Sequence, residues 1–204
     1  ALVAFVAVER RAAEPVLELS IVQRPLIMTT TLISLGVGAL LIGVTSFVPT
    51  YLESARGVVP LISGVAVAAL TLGWPLSAAM AGRMYLRFGY RTTVMIGSAI
   101  ATVGSVALAV SGPFPNPWVV GAVSFVIGFG LGWTAAPLLI AAQASVDWEQ
   151  RGVVTGINVF ARSAGSAIGV AIFGAIATNV IAAGQGEHDY ATIVSASTWV
   201  FVAV

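Results

Sequence analysis

Long apolar runs separated by short polar breaks dominate the hydropathy pattern of this chain. A helix needs roughly 20 consecutive apolar residues to cross about 30 Å of hydrocarbon. Five runs reach that length, and a sixth begins near Ala191. The pattern predicts transmembrane spans at about 26–52, 60–81, 92–111, 118–145, 153–183 and, truncated, 191–204. The predicted fold class is therefore all-α, a polytopic transmembrane helical bundle.

The residues before the first full span have a different character. Residues 1–8 are apolar and are followed by Arg10 and Arg11, whereas a signal peptide carries its positive charge before the apolar region. We interpret residues 1–8 as the end of a preceding span, residues 9–25 as a cytoplasmic linker, and residues 26–204 as the bundle. We therefore expect this chain to be a fragment of a longer protein.

Arginine is distributed unevenly among the loops. If successive loops alternate between the two sides of the membrane, one side carries seven arginines and the other carries one. The seven are Arg10, Arg11, Arg24, Arg83, Arg87, Arg91 and Arg151, and the one on the other side is Arg56. Because arginine near span ends is retained on the cytoplasmic side, the asymmetry predicts that the group of seven faces the cytoplasm.

Composition supports a membrane protein and argues against other classes. Hydrophobic residues make up 58% of the chain and charged residues 8%, with a mean hydropathy of +1.00, which is too little charge for a water-soluble surface. A net charge of +1, with its basic residues in separate loops, argues against nucleic-acid binding. The chain has no cysteine, and its one histidine, His188, has only Glu187 and Asp189 beside it. We predict no metal site, no cofactor and no catalytic residues, and hence no enzyme.

Two glycine pairs within the spans predict close helix packing. Gly128 and Gly132 form one pair and Gly165 and Gly169 the other, each with the G-x-x-x-G spacing that places both residues on one helix face. Lipid provides no hydrophobic drive for helix association, so a close approach of backbones matters more in a membrane than in water. We interpret the four glycines as helix-packing positions.

One predicted span carries an ionisable residue. Thr155, Asn158, Arg162 and Ser166 are spaced at i, i+3, i+7 and i+11, which places them in one polar stripe on a helix. Charge inside a membrane is costly and usually functional, so Arg162 is the candidate for a cavity residue. The alternative is that this span is longer than the bilayer requires and that Arg162 extends to the cytoplasmic interface. The sequence leaves both interpretations open.

A buried Arg162 requires an anion or a ring of hydrogen-bond acceptors, because a guanidinium remains charged at any accessible pH. The candidates are Asp147 and Glu149 in the preceding loop, or a carboxylate from an N-terminal bundle outside this sequence. We expect a latch of this kind near the cytoplasmic end rather than direct contact with substrate.

The stretch between the second and third full spans resembles a family motif. We expect residues 81–91 to form a tight cytoplasmic turn, and within it Gly82-x-x-x-x-Arg87-x-Gly89-x-Arg91 resembles the loop motif of the major facilitator superfamily, in the copy of its C-terminal half. The resemblance implies a conformational role for Gly82, Arg83, Arg87, Gly89 and Arg91. Leu86 stands where the full motif has an acidic residue and Tyr90 where it has a basic one, so the resemblance gives no support to a charge relay here.

A second stretch, residues 143–169, is similar to the fourteen-span drug:proton antiporters of that superfamily. The residues that carry this similarity are Arg151, Gly152, Phe160, Arg162, Gly165 and Gly169. The resemblance implies the C-terminal six-helix half of a secondary active transporter, a proton-coupled exporter of drug-like or amphipathic small molecules that works by alternating access. The implied partners are a small-molecule substrate, protons, membrane lipid and the N-terminal bundle of the same polypeptide, in a bacterial cell membrane. The alternative is a non-transporting sensor or assembly subunit on the same fold.

Overall fold

The computed structural model describes residues 19–111 and 116–183, and the regular elements within those ranges are helices. Its five long helices are α1 Pro25–Arg56, α2 Pro60–Phe88, α3 Tyr90–Ser111, α4 Pro117–Ala144 and α5 Arg151–Ala183. All five are long and apolar enough to cross a membrane, which confirms the predicted all-α transmembrane bundle. The predicted spans at 1–8 and 191–204 and residues 9–18 of the linker lie outside the described residues.

Proline begins three of the long helices. Pro25, Pro60 and Pro117 occupy the first helical position, where the missing N–H would have had no intrahelical partner. At its other end, α1 stops at Gly57, which has φ 60° and ψ 28° and donates its backbone N–H to the Glu53 carbonyl at 2.9 Å. These local signals set the short connections between apolar helices.

The tight turn that we expected over residues 81–91 is wrong in its extent. Helix α2 continues to Phe88 and α3 begins at Tyr90, so Gly89 alone separates the two helices. Hydropathy identifies only the apolar part of a helix that can lie in the hydrocarbon core. The backbone hydrogen bonds of α2 continue past that part into the polar residues that follow it. The motif residues Gly82, Arg83 and Arg87 are therefore helical.

Helix α4 lies at the centre of the described bundle. It packs extensively against both α2 and α3, and α1 packs mainly against α5. In the most apolar stretch of each helix, 50% of α4 residues are buried inside the chain but only 22% of α5 residues are. The main apolar core joins α1, α2, α3 and α4, and it includes Val44, Leu70, Leu108, Ile127 and Leu131. Much of the α5 surface is consequently free of contacts with the other described helices.

Hydrogen bonds at the helix ends fix which ends lie together. Arg24, just before α1, donates from Nη1 to the Ser145 carbonyl at the C-terminus of α4, over 3.1 Å. At the opposite end, Ser63 near the start of α2 donates from Oγ to Glu53 Oε1 near the end of α1, over 2.5 Å. The starts of α1, α3 and α5 therefore lie at one end of the bundle, with the ends of α2 and α4. We call this the arginine-rich end, because Arg24, Arg83, Arg87, Arg91 and Arg151 are located there.

Candidate functional site

Glycines bring α1 and α5 into backbone contact. A methyl group built at Gly38 would overlap the backbone carbonyl of Arg162, and one at Gly165 would overlap the carbonyl of Leu35. A methyl group at Gly169 would lie 2.9 Å from Ala39 Cα. The predicted packing pair on α5 thus lies at the contact, and α1 contributes a glycine of its own.

Helices α2 and α4 meet through glycines in the same way. Methyl groups built at Gly128 and Gly132 would overlap the carbonyls of Leu70 and Trp74, and one at Gly73 would lie 2.5 Å from the Phe125 carbonyl. The contacting positions are spaced along α2 and α4 as they are along α1 and α5, so the two contacts can be aligned residue by residue. Superimposing Gly165 on Gly128 and Leu35 on Leu70 makes Arg162 equivalent to Phe125.

The two contacts differ in their side chains. Besides the Arg162 and Phe125 pair, the equivalent residues are Asn158 and Gly121, Ser166 and Phe129, and Ser34 and Ala69. Every one of these α1–α5 residues is polar and every α2–α4 equivalent is apolar. We call Ser34, Gly38, Asn158, Arg162 and Ser166 the polar seam.

Hydrogen bonds join α1 and α5 across the polar seam. Ser34 donates from Oγ to Asn158 Oδ1 at 2.7 Å, and both side chains are buried, with 8% and 5% of their surface exposed. Asn158 in turn donates from Nδ2 to the Val154 carbonyl on its own helix at 3.1 Å. Ser166 Oγ lies 3.0 Å from the Gly38 carbonyl, to which it donates across the seam.

Thr155, the remaining member of the predicted stripe, connects α5 to α4. Its Oγ1 accepts a hydrogen bond from Gln143 Nε2 at 2.8 Å and donates to the Arg151 carbonyl at 2.7 Å. The stripe therefore forms hydrogen bonds with two helices: Thr155 bonds to α4, and Asn158 and Ser166 bond to α1. Its hydrogen bonds hold α5 in a fixed rotation about its own axis.

Arg162 differs from the other stripe residues because its charge is uncompensated among the described residues. Its side chain is half-buried, and it forms no hydrogen bond or ion pair through its guanidinium within residues 19–111 and 116–183. Asp147 and Glu149, which we considered as partners, do not contact it. Arg162 lies eleven residues into α5, or about 16 Å along the helix from Arg151, which is too far for a loop carboxylate to reach easily.

The joint between α2 and α3 explains one glycine of the family-like motif. Gly89 has φ 81° and ψ 161°, a conformation that is open almost only to glycine. Its N–H donates to the Tyr85 carbonyl, and its own carbonyl accepts from the Thr93 hydroxyl at 2.9 Å. By contrast, Gly82 has no atom within 4 Å of a methyl group built there. Arg83, Arg87 and Arg91 are all exposed.

The residues that complete each contact were not predicted from the sequence. Ser34, Gly38 and Gly73 were not singled out, although Ser34-x-x-x-Gly38 and Gly73-x-x-x-Ser77 have the spacing of small residues that favours close helix packing. A signal was present in Ser34, which is the only hydroxyl between Leu32 and Val44. No group of three or more His, Cys, Asp or Glu side chains that could hold a metal ion occurs within the described residues.

Comparisons with known proteins agree with the fold. A family model described as the Major Facilitator Superfamily matches residues 4–170. The multidrug transporter protein MdtP of Bacillus subtilis is 25% identical over 175 residues, which cover 86% of this chain and 32% of MdtP. The MFS-type transporter clz4 of Cochliobolus lunatus is 33% identical over 178 residues, covering 86% of this chain and 32% of clz4.

A third relative is the drug efflux pump JefA of Mycobacterium tuberculosis, 27% identical over 172 residues that cover 84% of this chain and 34% of JefA. The chain thus spans about a third of the length of these curated relatives. With its five membrane-length helices, it is an integral, multi-pass membrane protein. On the match over residues 4–170, this chain belongs to the Major Facilitator Superfamily.

Proposed function

We propose that this chain supplies one helical bundle of a proton-coupled exporter of drug-like, amphipathic compounds that works by alternating access. The relatives named as a multidrug transporter and a drug efflux pump support the substrate class. In such a transporter the substrate site lies between two bundles, so the described helices would form one wall of it. The remainder of the site would come from a bundle outside this sequence.

The polar seam is the observation that carries this proposal. The α2–α4 contact shows that the same backbone arrangement packs with apolar side chains at the equivalent positions, so packing alone does not require Asn158 or Arg162. Uncompensated charge within a membrane helix is expensive and is typically found where a helix faces a cavity or a charged partner. Because the described residues provide no anion for Arg162, we infer that its partner is a carboxylate of the second bundle.

In this proposal the ion pair acts as a latch. It forms when the two bundles approach at the arginine-rich end and therefore stabilises the state that is closed on that side. We also propose that this end faces the cytoplasm, on the strength of the arginine asymmetry. A cysteine introduced at position 149 that an impermeant reagent labels in intact cells would contradict this orientation.

The proposal places the proton-binding group elsewhere. Within the described residues, the carboxylates Glu53, Asp147 and Glu149 lie at the ends of helices or between them, and none lies in the middle of a span. A proton-coupled cycle needs a group that titrates inside the transport path, so that group would belong to the second bundle. Arg162 would respond to its charge state without losing a proton itself.

Ethidium efflux from cells that produce the full-length protein tests the latch. Arg162→Gln should reduce efflux of all substrates together by about fivefold or more, which corresponds to a lost coupling of about 1 kcal/mol. Arg162→Lys should retain part of the activity, because the charge remains without the planar guanidinium. Phe125→Leu, at the equivalent position of the α2–α4 contact, should leave efflux close to the wild-type rate.

A different outcome would assign Arg162 another role. If Arg162→Gln abolished export of anionic compounds and spared cationic ones, Arg162 would belong to the substrate site and the latch would be wrong. Export of an anionic dye, measured beside ethidium, distinguishes these two roles. If Arg162→Gln and Phe125→Leu lowered efflux equally, the seam would have no special function.

A further inference from the structure

A groove opens between α1, α3 and α4 at the arginine-rich end of the bundle. Its volume is about 680 Å³, within the range of roughly 300–1,000 Å³ that is typical of ligand-sized sites. The groove shares no residue with the polar seam. Ligand binding in this groove is therefore independent of the role proposed for Arg162.

The deeper part of the groove is apolar. Ile33 of α1, Val94 of α3 and Leu138 of α4 contribute to its walls. Met95, which also lines it, is 61% exposed, so the groove is open along its side. In a multi-pass membrane protein, an open apolar groove of this kind accommodates hydrocarbon chains.

The mouth of the groove is positively charged. Arg91 lines it, is exposed, and its guanidinium forms no hydrogen bond or ion pair with another described residue. Arg24 is held beside the mouth by its bond to the carbonyl of Ser145, another lining residue, and its remaining N–H groups are available to a ligand. None of the described residues that line the groove is a carboxylate.

Helix termini strengthen this positive field. Helices α1 and α3 both begin at the mouth, with Pro25 and Tyr90, so their first backbone N–H groups and positive dipole ends are located there. The C-termini of α2 and α4 also lie at this end, where Arg24 donates to the Ser145 carbonyl after α4 and the Gly89 N–H donates to the Tyr85 carbonyl near the end of α2. A positive mouth above an apolar groove matches a ligand with an anionic head and an apolar tail.

We propose that this groove binds one anionic phospholipid from the membrane leaflet at the arginine-rich end. Its phosphate lies between Arg91 and Arg24, and an acyl chain lies along Ile33, Val94 and Leu138. A zwitterionic lipid fits the apolar part but gains less at the mouth. Inorganic phosphate fits the mouth but leaves the apolar part unfilled.

Thermal unfolding of the purified full-length protein in detergent tests this site. Added phosphatidylglycerol should raise Tm in a concentration-dependent manner, because a ligand that binds the folded state stabilises it. Phosphatidylcholine should give a smaller shift, and inorganic phosphate none. Arg91→Gln should raise the phosphatidylglycerol concentration that gives half of the shift by about fivefold, as expected for one arginine at a membrane surface.

Two further variants separate the groove from general surface charge. Arg83→Gln removes an exposed arginine at the same end but away from the groove, and it should change the half-effective concentration by less than about twofold. Met95→Trp fills the open side of the groove with both arginines intact, and it should weaken the response to phosphatidylglycerol.

Several results would overturn the proposal. These are equal shifts with phosphatidylglycerol and phosphatidylcholine, a shift with inorganic phosphate as large as that with phosphatidylglycerol, or equal losses in Arg83→Gln and Arg91→Gln. An unchanged response in Met95→Trp would also exclude the groove as the place where the lipid binds.

Discussion

Helices α1 and α5 meet through the same arrangement of glycines as α2 and α4, but only the first of these two pairs is joined by side-chain hydrogen bonds. In both contacts, a G-x-x-x-G pair on one helix lies against two backbone positions four residues apart on the other. At Ser77, the α2–α4 contact does contain a hydroxyl, but that hydroxyl donates to the Trp74 carbonyl of its own helix at 3.0 Å. In the α1–α5 contact, Ser34 and Ser166 both donate to the opposite helix.

Comparing the two contacts shows which residues close helix packing requires and which it does not require. Glycine allows the two backbones to approach, and both pairs rely on it. Polar side chains at such a contact contribute modestly, on average about 0.6 kcal/mol per hydrogen bond in a membrane protein. A half-buried arginine with no anionic partner among the described residues opposes stability. Packing alone therefore does not explain the polar seam, and the α2–α4 contact serves as its internal control.

Glycine substitution should have the largest effect, and it should be equal in both contacts. Gly165→Ala and Gly128→Ala each place a methyl group against a backbone carbonyl that cannot move without shifting its helix. We expect each to lower the free energy of unfolding by about 1–3 kcal/mol. Thermal unfolding of the full-length protein in detergent would measure the loss.

Matched glycines on the same helices provide the controls. Gly174 of α5 has no atom within 4 Å of a built methyl group, and Gly121 of α4 has only ordinary contacts, the nearest at 3.5 Å. Gly174→Ala and Gly121→Ala should be neutral or slightly stabilising, because alanine favours the helix. A marked difference between Gly165→Ala and Gly128→Ala would show that the two contacts do not share one packing geometry.

The sequence predicted the existence of the helices better than their contacts. The length and hydropathy of each apolar run identify it as a span, and neither property depends on the neighbouring helices. The G-x-x-x-G pairs that begin at Gly128 and Gly165 likewise indicate close packing. The residues that lie opposite each glycine pair belong to another helix, so the pair itself does not identify them. Gly38 and Gly73 each lie four residues from a serine on the same helix, Ser34 and Ser77, but the backbone that each glycine contacts is visible only once the helices are side by side.

The candidate site was predictable to a similar extent. Spacing alone placed Asn158, Arg162 and Ser166 on one helix face, because a helix has a fixed period. It could not identify Ser34 as the partner of Asn158, since the residues are 124 positions apart. For Arg162, the loop carboxylates were near in sequence, but the regular helix between them and Arg162 keeps them apart in space.

The hydrogen bond between Ser34 and Asn158 should give the next largest effect. A double-mutant cycle of Ser34→Ala and Asn158→Ala should yield a coupling of about 0.6–1.7 kcal/mol, the range for buried polar pairs between membrane helices. Thermal or denaturant unfolding of the four proteins provides the measurement. The control is a cycle of Asn158→Ala with Ser105→Ala, because Ser105 donates to Ala101 on its own helix and should show no coupling. Zero coupling between Ser34 and Asn158 would mean that the polar seam does not join the two helices.

The two serines at the centres of the contacts should give the smallest effect. Ser166 Oγ lies 3.0 Å from the Gly38 carbonyl across the seam and 3.1 Å from the Arg162 carbonyl on its own helix, so its hydroxyl is shared between them. Ser77 Oγ donates only to its own helix, and its oxygen lies against Gly132 in the α2–α4 contact. The two serines are therefore chemically alike and differ in whether their hydrogen bond crosses between helices.

Ser166→Ala should cost about 0.5 kcal/mol, because it removes a bond between helices while the Gly38 carbonyl keeps its place in α1. Ser77→Ala should cost close to nothing, since the Trp74 carbonyl loses only a bond within its own helix. Unfolding measurements on both variants in the same detergent would resolve the difference if each were repeated against the wild type. A loss in Ser77→Ala as large as that in Ser166→Ala would show that these two hydroxyls act within their own helices, and the polar link between α1 and α5 would then consist of the bond between Ser34 and Asn158.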